Sequence, residues 1–298
     1  MNINKIETFI TLSNCLSFTE AAEQLYCSQP AVSMQIQSLE EDLGVQLFDR
    51  IGKKLYLTKQ GDIFKPYAEQ IVNLLRSGRE HLHQLEDLSA GALVFGASNF
   101  VGVYLLPSVL AWYKEQYPKI KISMKIKSSQ QLIHQLESNS IEFLVLSDQI
   151  EVDESRYQTC SFYQDRLVLI ARPDHHLAQK RNCTLYDLQN ETFLMKPDKS
   201  ATRQFLDMKF EQAGISISNT IEISSLEGIK QGVIHGLGVA AVSELTVKQE
   251  IASGLLVAIP VDEVKFERGI QYVHYKNKHL SPAAKAFITM LDNILTEE

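Results

Sequence analysis

Residues 17–58 read SFTEAAEQLYCSQPAVSMQIQSLEEDLGVQLFDRIGKKLYLT, and few arrangements accommodate that order. Ser17 and Glu20 have the spacing of a capping box, in which each side chain satisfies a free backbone amide at a helix start. Ala21, Ala22 and Leu25 then offer a small, close-packing inner face. Tyr26 and Cys27 supply a turn, after which Ser28 caps a second helix that tolerates Pro30 in its first turn, where the missing amide costs nothing. That helix is predicted to begin near Gln29. Along it Val32, Ile36, Leu39 and Leu43 recur at steps of four, three and four and form one buried stripe. The opposite face carries Gln29, Pro30, Ser33, Met34 and Gln37, mostly short or amide side chains suited to exchanging hydrogen bonds with base edges in a major groove. Gly44 ends the helix. Leu47 and Phe48 then anchor a hairpin in which Arg50, Lys53, Lys54 and Lys59 meet no acidic residue and alternate with Leu55 and Leu57. Such a wing grips phosphate or enters the minor groove, although a solvated tip explains Lys53 and Lys54 as well.

The run AAEQLYCSQPAVSMQIQSLEEDLGVQLFDR resembles the N-terminal signature of the LysR-type transcriptional regulators: the Ser-Gln-Pro-Ala turn, the Leu-Glu pair, the Gly, and Leu-Phe followed by Arg. The resemblance implies a winged helix-turn-helix in which Gln29, Pro30 and Ser33 approach base edges, and Arg50, Lys53 and Lys54 meet the backbone or minor groove. Met34 and Ser38 stand where many members place arginine or lysine, and Ile51 where a second arginine often follows. The recognition helix is thus left with fewer phosphate contacts of its own.

A net charge of −7 excludes adhesion to nucleic acid through the whole surface, because the phosphate backbone repels an acidic chain. Even in the first sixty residues Lys5, Arg50, Lys53, Lys54 and Lys59 are outnumbered by Glu7, Glu20, Glu23, Glu40, Glu41, Asp42 and Asp49. One copy should bind weakly, so doubling the reading head on a two-fold partner is expected. From Thr58 a long helical pattern follows, with Phe64, Tyr67, Ile71, Leu74, Leu75, Leu82 and Leu85 forming an apolar stripe among charged neighbours. This stripe suits a second copy of the same helix. Pro66 marks a kink near its start, and Leu88 to Gly91 read as a hinge. The resemblance implies dimerisation through this linker, and a dimer of dimers, a homotetramer.

With 298 residues there is room for two or three domains at ~100 to 200 residues each. No stretch is long and apolar enough to cross a bilayer, so no membrane partner is expected. Ile6, Phe9, Ile10 and Leu12, broken by Glu7, read as a structural helix rather than a secretory signal. Cys15, Cys27, Cys160 and Cys183 have no paired short spacing, which supports neither zinc nor a redox pair; a reducing cytoplasm is expected. His175 and His176 follow Pro173-Asp174 in a surface turn and read as structural, with no metal.

After Gly91 β-rich runs alternate with amphipathic helices, the mark of an α/β domain with largely parallel strands. Strands are predicted at 93–95, 120–126, 143–146, 167–170, 193–195, 221–223 and 273–275. Helices are predicted at 103–117, 130–137, 203–212, 226–235 and 283–295, with a Gly-rich run at 236–241. The last helix is expected to return to the first half, giving two lobes joined by crossing strands. Tyr104-Leu105-Leu106-Pro107, Tyr117-Pro118 and Gly236-Leu237-Gly238-Val239-Ala240 resemble the effector-binding domain of the same family, of the type 2 periplasmic-binding-protein kind. The fold class expected is therefore α/β, with an N-terminal winged helix-turn-helix (mainly α) at 1–58, a linker helix and hinge at 59–90, and a two-lobed effector domain at 91–298. Lobe I covers 91–161 and 267–298, and lobe II 162–266.

Several of these helices open with hydroxyl residues: Ser98 with Asn99 and Phe100, Ser128 with Ser129, Ser200 with Thr202, and Ser224 with Ser225. In parallel α/β folds helix starts gather at the carboxyl ends of strands, where free amides and helix dipoles favour a small anion. Lys196 and Arg203 stand close enough in sequence to balance its charge, with Arg203 equally suited to a salt bridge across the domain. Each serine alone is explained as a cap; as a set they match loops lining the family's ligand cleft. No nucleophile elbow, phosphate loop or metal spacing is present, so neither catalytic residues nor a cofactor are expected. The expected partners are double-stranded promoter DNA, a small-molecule effector, further copies of the chain and RNA polymerase. A solute-binding protein or an enzyme on the same scaffold are the rival readings.

Overall fold

The computed structural model describes residues 2–52, 54–84, 91–180, 183–261 and 265–294. They fall into two compact units, one drawn from Met1–Asp87 and His134–Glu142, the other from Leu88–Ile133 and Phe143–Glu298.

The first unit begins with helices α1 (Ile3–Cys15), α2 (Phe18–Gln24) and α3 (Gln29–Leu43). Each start is capped by the residue before it: Asn2 accepts from Lys5 N–H, Ser17 from Glu20 N–H and Ser28 from Ala31 N–H. Only half of the capping box expected at Ser17 forms, because the Glu20 carboxylate accepts from the Gln24 amide one turn further on. Gly44, at φ 71°, closes α3 in the left-handed region that glycine occupies without strain. Phe9, Leu12, Val32, Ile36, Leu39 and Leu47 are buried together, while Leu43 at the end of the stripe is only half-buried. Burying each large side chain contributes roughly 1.5–3 kcal/mol, so this small core stabilises three short helices that would not persist alone.

Strands β1 (Phe48–Ile51) and β2 (Lys54–Leu57) pair antiparallel in a tight hairpin, with Gly52 at φ 66° in its turn. Helix α4 (Lys59–Gln84) follows and runs through Pro66 without interruption. It packs close to the hairpin: a β-carbon on Gly61 would lie 2.3 Å from the Leu47 carbonyl oxygen. Phe64 and Ala68 turn inward, with the Phe64 ring 5.2 Å from that of Phe9. Phe64 therefore leaves the expected outward stripe, because the head's own core claims it. Ile63, Tyr67, Ile71, Leu74, Leu75 and Leu82 remain exposed, Leu74 at 62% and Leu82 at 69%. Lys53, Leu85 and the hinge residues Leu88, Ser89 and Ala90 lie outside the described residues.

From Gly91 the chain forms β3 (Gly91–Ala97), a π-helical turn (Val101–Leu105), α5 (Leu106–Gln116), β4 (Ile120–Ile126), α6 (Ser129–Glu137) and β5 (Leu144–Ser147). The long strand β6 (Tyr157–Ala171) leads to β7 (Phe193–Met195), α7 (Ala201–Gln212), β8 (Thr220–Glu222) and α8 (Leu226–Ile234). The chain continues through β9 (Ala240–Ser243), α9 (Lys248–Ala252) and β10 (Val257–Ile259), returns along β11 (Glu267–Tyr275) and ends in α10 (Pro282–Ile294).

Among the described residues, parallel ladders join β3 with β4 and β5, and β7 with β8, with isolated parallel bridges at Cys183–Val261 and Phe193–Val239. Strand β6 pairs antiparallel with β9, β10 and β11, and β11 does so with β5, which corrects the expectation of a largely parallel sheet. β11 returns along β6 in the opposite direction, and β9, β10 and β5 each join one of these two long strands antiparallel, so the centre of the sheet is antiparallel and only its β5-β3-β4 edge is parallel. The lengths of β6 and β11 were hidden as well. Gln158, Thr159, Ser161, Gln164 and Asp165 break up the first part of β6, and Glu267 and Arg268 open β11, so only the apolar ends read as strands. The helix expected at 103–117 splits into the π-helical turn and α5; α9 and β10 had no clear periodic signal.

Three buried clusters result, and β6 feeds all of them: Phe162 the first, Leu167 and Leu169 the second, and Ile170 a third with Leu194, Val233 and Val242. Phe95, Tyr113, Phe143, Phe162 and Phe287 fill the first lobe, with Phe95 stacked on Phe143 at 5.0 Å and Phe287, from α10, at 5.1 Å from Phe95. Phe193, Phe205, Phe210 and Phe266 belong to the second, together with Leu167 and Leu169 of β6. There Gly238 allows a close approach: at φ 155°, its β-carbon would meet the Thr192 carbonyl oxygen at 2.0 Å.

Candidate functional site

On α3 the stripe Val32, Ile36 and Leu39 points inward, which leaves Gln29, Pro30, Ser33, Met34 and Gln37 exposed on the other side. The helix is held from both ends. Thr8 of α1 donates its hydroxyl to the Gln35 amide oxygen, and Lys5 of α1 pairs with Asp42 at 2.7 Å. Near its C-terminus, Glu40 Oε1 accepts from the backbone amides of Leu47 at 2.7 Å and Phe48 at 3.2 Å, which ties helix to hairpin. That brace was not anticipated; its signal was a carboxylate in the last turn of a helix just before an apolar anchor. In the hairpin Arg50 and Lys54 are exposed, with the Arg50 guanidinium 4.8 Å above the Phe18 ring. Tyr26, in the turn between α2 and α3, is 97% exposed and left-handed at φ 52°, a strained setting for an aromatic residue.

The second unit contains a cavity of about 550 Å³. Ser98, Asn99, Phe100, Ser128 and Ser129 line it from the first lobe, and Lys196, Ser200 and Thr202 from the second. Chain topology brings them together, since the loops after β3, β4 and β7 all open toward it. Arg203 does not line it. Its Nε bonds Asp207 at 2.8 Å and its Nη1 lies 3.1 Å from Asp198, because the next position along a helix points about 100° away. Both bridges are local, to the fourth residue on and the fifth residue back, so they are not the salt bridge across the domain that the sequence suggested as the alternative.

The hydroxyls are not equivalent. Ser128 exchanges hydrogen bonds with Gln131 as a cap of α6, and Ser225 caps α8 through Gly228 N–H. Ser200 precedes α7 without a side-chain cap, which leaves the amides of that helix start for another acceptor. Lys196 is half-buried in the wall and donates to the Ser224 carbonyl oxygen at 2.5 Å; burial draws its pKa down from the usual lysine value. It has no carboxylate partner among the described residues.

Sequence reasoning missed Arg268, Asp165, Ser147, Ser243 and Thr246. Arg268, 4% exposed, enters the cavity wall from β11 and donates through Nε to Asp165 Oδ2 at 2.9 Å; Asp165 Oδ1 accepts from Ser243 at 2.6 Å. Burial pushes the Asp165 carboxyl up, against the pull of the Arg268 charge and of the Ser243 hydroxyl. The two residues are 103 positions apart, so the only sequence signal was a pair of adjacent opposite charges in each strand, Asp165-Arg166 and Glu267-Arg268. Beside the cavity Lys230, one residue past the lining Ile229, is buried between Glu250 at 2.6 Å and Glu227 at 3.1 Å and lies over the Tyr104 ring.

His175, His176 and Glu191 bring three metal-type ligand atoms together elsewhere in the second lobe. His175 Nδ1, however, accepts from Leu177 N–H, so the neutral ring carries its proton on Nε2, which faces Glu191. A histidine ligating a metal through Nε2 donates from its other nitrogen, which that backbone amide forbids. The cluster is a clasp between two turns. No helix among the described residues is long and apolar enough to cross a membrane.

Comparison with known proteins places these features in context. Residues 86–295 match the LysR substrate binding domain, and residues 3–62 the bacterial regulatory helix-turn-helix proteins of the lysR family. The RuBisCO operon transcriptional regulator of Allochromatium vinosum is 33% identical over 290 residues, covering 96% of this chain and 94% of the relative. The regulatory domain of CcmR from Synechocystis PCC6803, solved in complex with 2-PG, is 27% identical and superposes with a TM-score of 0.63 over 69% of this chain and 98% of that one. Full-length CbnR, solved with its target DNA, shares the fold at 19% identity, with a TM-score of 0.75 over 99% of this chain and all of that one.

Proposed function

Because this chain belongs to the LysR family of DNA-binding transcriptional regulators, we propose that its cleft takes a small hydroxylated organic anion and that this ligand resets the paired reading heads on promoter DNA. The relatives it matches are regulators rather than enzymes, and so is this protein. The observation that carries the ligand class is Lys196, a half-buried ammonium in the cavity wall whose only described acceptor is a backbone carbonyl. The uncapped start of α7 and the hydroxyls of Ser98, Ser128, Ser129, Ser200 and Thr202 suit an anion that also carries hydroxyl groups, with Asn99 and Phe100 closing the first-lobe side. The complex of CcmR with 2-PG, and the A. vinosum relative named for the RuBisCO operon, are compatible with a charged metabolite of that kind.

In this reading Gln29, Pro30, Ser33, Met34 and Gln37 meet base edges, while Arg50, Lys53 and Lys54 meet phosphate or the minor groove. Copies pair through the exposed stripe of α4, and two such dimers form the working tetramer in the cytoplasm. Each dimer reads half-sites ~34–36 Å apart on one face of the duplex. The ligand acts by binding one lobe arrangement better than another, and the altered spacing of heads changes DNA bending and access for RNA polymerase. The division into 1–58, 59–90 and 91–298 follows these roles.

Fluorescence anisotropy with labelled DNA from upstream of the gene tests the reading. Binding should fall steeply between about 50 and 200 mM salt, as counterion release requires. Adding hydroxylated anions should shift the footprint; a footprint indifferent to every anion, while neutral compounds move it, would overturn the ligand class.

A further inference from the structure

The Arg268 guanidinium is nearly enclosed, yet its donors are not used up. Nε is spent on Asp165 at 2.9 Å and Nη1 donates to Thr202 Oγ1 at 3.0 Å, while the Phe100 ring covers one face at 4.7 Å. Nη2 has no hydrogen-bond partner among the described residues, and Arg268 forms part of the cavity wall. Its contacts belong to different parts of the unit. Phe100 follows β3 in the first lobe, Thr202 lies in the first turn of α7 in the second, and Asp165 stands directly opposite on the neighbouring crossing strand. Ser243 of β9 fixes the other Asp165 oxygen at 2.6 Å. A rigid planar fork held this way cannot turn toward a ligand without disturbing its contacts to both lobes.

Asp165 neutralises Arg268, so the pair adds direction to the cavity while Lys196 adds net charge. Resting on the anion reading above, we propose that Arg268 is the residue that receives the effector's carboxylate or phosphate end-on through Nη1 and Nη2 and converts its arrival into a new lobe arrangement. Two parallel N–H donors match two oxygens of one oxyanion, which a neutral ligand of similar shape lacks. Nη1 carries two hydrogens, so the oxyanion takes one while Thr202 keeps the other and holds the fork in place; binding there loads the Thr202 contact and the Phe100 ring together, so the same event reaches both lobes. Lys196 strengthens binding; Arg268 makes binding felt.

Four full-length proteins separate these roles: wild type, Lys196→Met, Arg268→Lys, and the double variant Asp165→Asn with Arg268→Gln, in which two amides replace the ion pair without leaving an orphan charge. Arg268→Lys is the control for folding, since it keeps the ion pair and loses only the fork. The probes are inorganic phosphate, shikimate and 2-PG. Affinity is read by calorimetry, and lobe arrangement by small-angle scattering together with the DNA footprint. Lys196→Met should bind the best probe roughly tenfold more weakly yet give the full wild-type change at saturation. The double variant and Arg268→Lys should bind more weakly and give no change when saturated. A wild-type change from saturated Arg268→Lys or from the double variant would overturn the inference while leaving the anion reading intact. Failure of the wild type to bind any of the three probes would bring down the anion reading, and this inference with it.

Discussion

The outward residues of α3, from Gln29 to Gln37, occupy consecutive turns of one helix, whereas the groups meeting at the Arg268 guanidinium come from positions 100, 165, 202 and 268. One site is made by local periodicity, the other by a sheet that folds back on itself. The difference predicts how each fails. A face on a single helix changes property by property, while a site gathered from distant strands transmits a change at one residue to all the others.

The largest effect is expected on the exposed stripe of α4, the surface proposed to pair two copies. Leu74→Glu with Leu82→Glu places two charges on the exposed stripe of α4, and should leave monomers in analytical ultracentrifugation with DNA affinity reduced roughly 10²- to 10⁴-fold. Dimers that persist with unchanged affinity would show that another surface pairs the heads. Next, Leu39→Ala opens a cavity in the head's core and should cost about 2–5 kcal/mol in urea denaturation of that unit, abolishing DNA binding. Anion uptake by the same variant tests whether damage in one region stays there.

Ser33→Arg should shift sequence preference by about 1–3 kcal/mol per discriminated base pair without moving the melting temperature, because the side chain points away from Val32 and Ile36. Unchanged preference in a binding selection would mean the wrong face has been assigned to DNA. Thr202→Ala removes the acceptor of Arg268 Nη1 and should weaken the response to anion by about 1 kcal/mol in a titrated footprint. If DNA affinity falls by as much as the anion response, the contrast between the regions is wrong.

The smallest effect is local again, inside the second lobe. Asp187 accepts from Lys180 at 2.7 Å and from Thr184 N–H at 2.9 Å, and these bonds pull its carboxyl down to about 2. A depressed carboxylate stabilises the fold above its unfolded value of 3.8 and loses that contribution as pH falls through about 2. Asp187→Asn should therefore lower the urea midpoint slightly at pH 6, with wild type and variant converging near pH 2. A difference that persists there would point to packing rather than charge.

What could be read in advance follows the same division. Ser17 and Ser28 as caps, Gly44 as the stop, and the Val32, Ile36 and Leu39 stripe are all signals within one or two turns, and they located α2 and α3 correctly. The hydroxyl-bearing loops were legible for the same reason, each being the start of a helix. Phe64 was misassigned because periodicity identifies an apolar face without saying which neighbour covers it. Arg203 was misassigned because nearness in sequence says nothing about the side a helical residue takes.

The amino-acid order by itself determined the helix-turn-helix, the basic hairpin and the alternation of strands and helices beyond Gly91, since capping, turn chemistry and hydrophobic period act over a few residues. Only the tertiary structure decided that β6 and β11 cross the unit in opposite directions and set Asp165 against Arg268, at Thr202 and Phe100. Pairing of that kind joins residues 103 positions apart. No window of neighbouring residues contains the information.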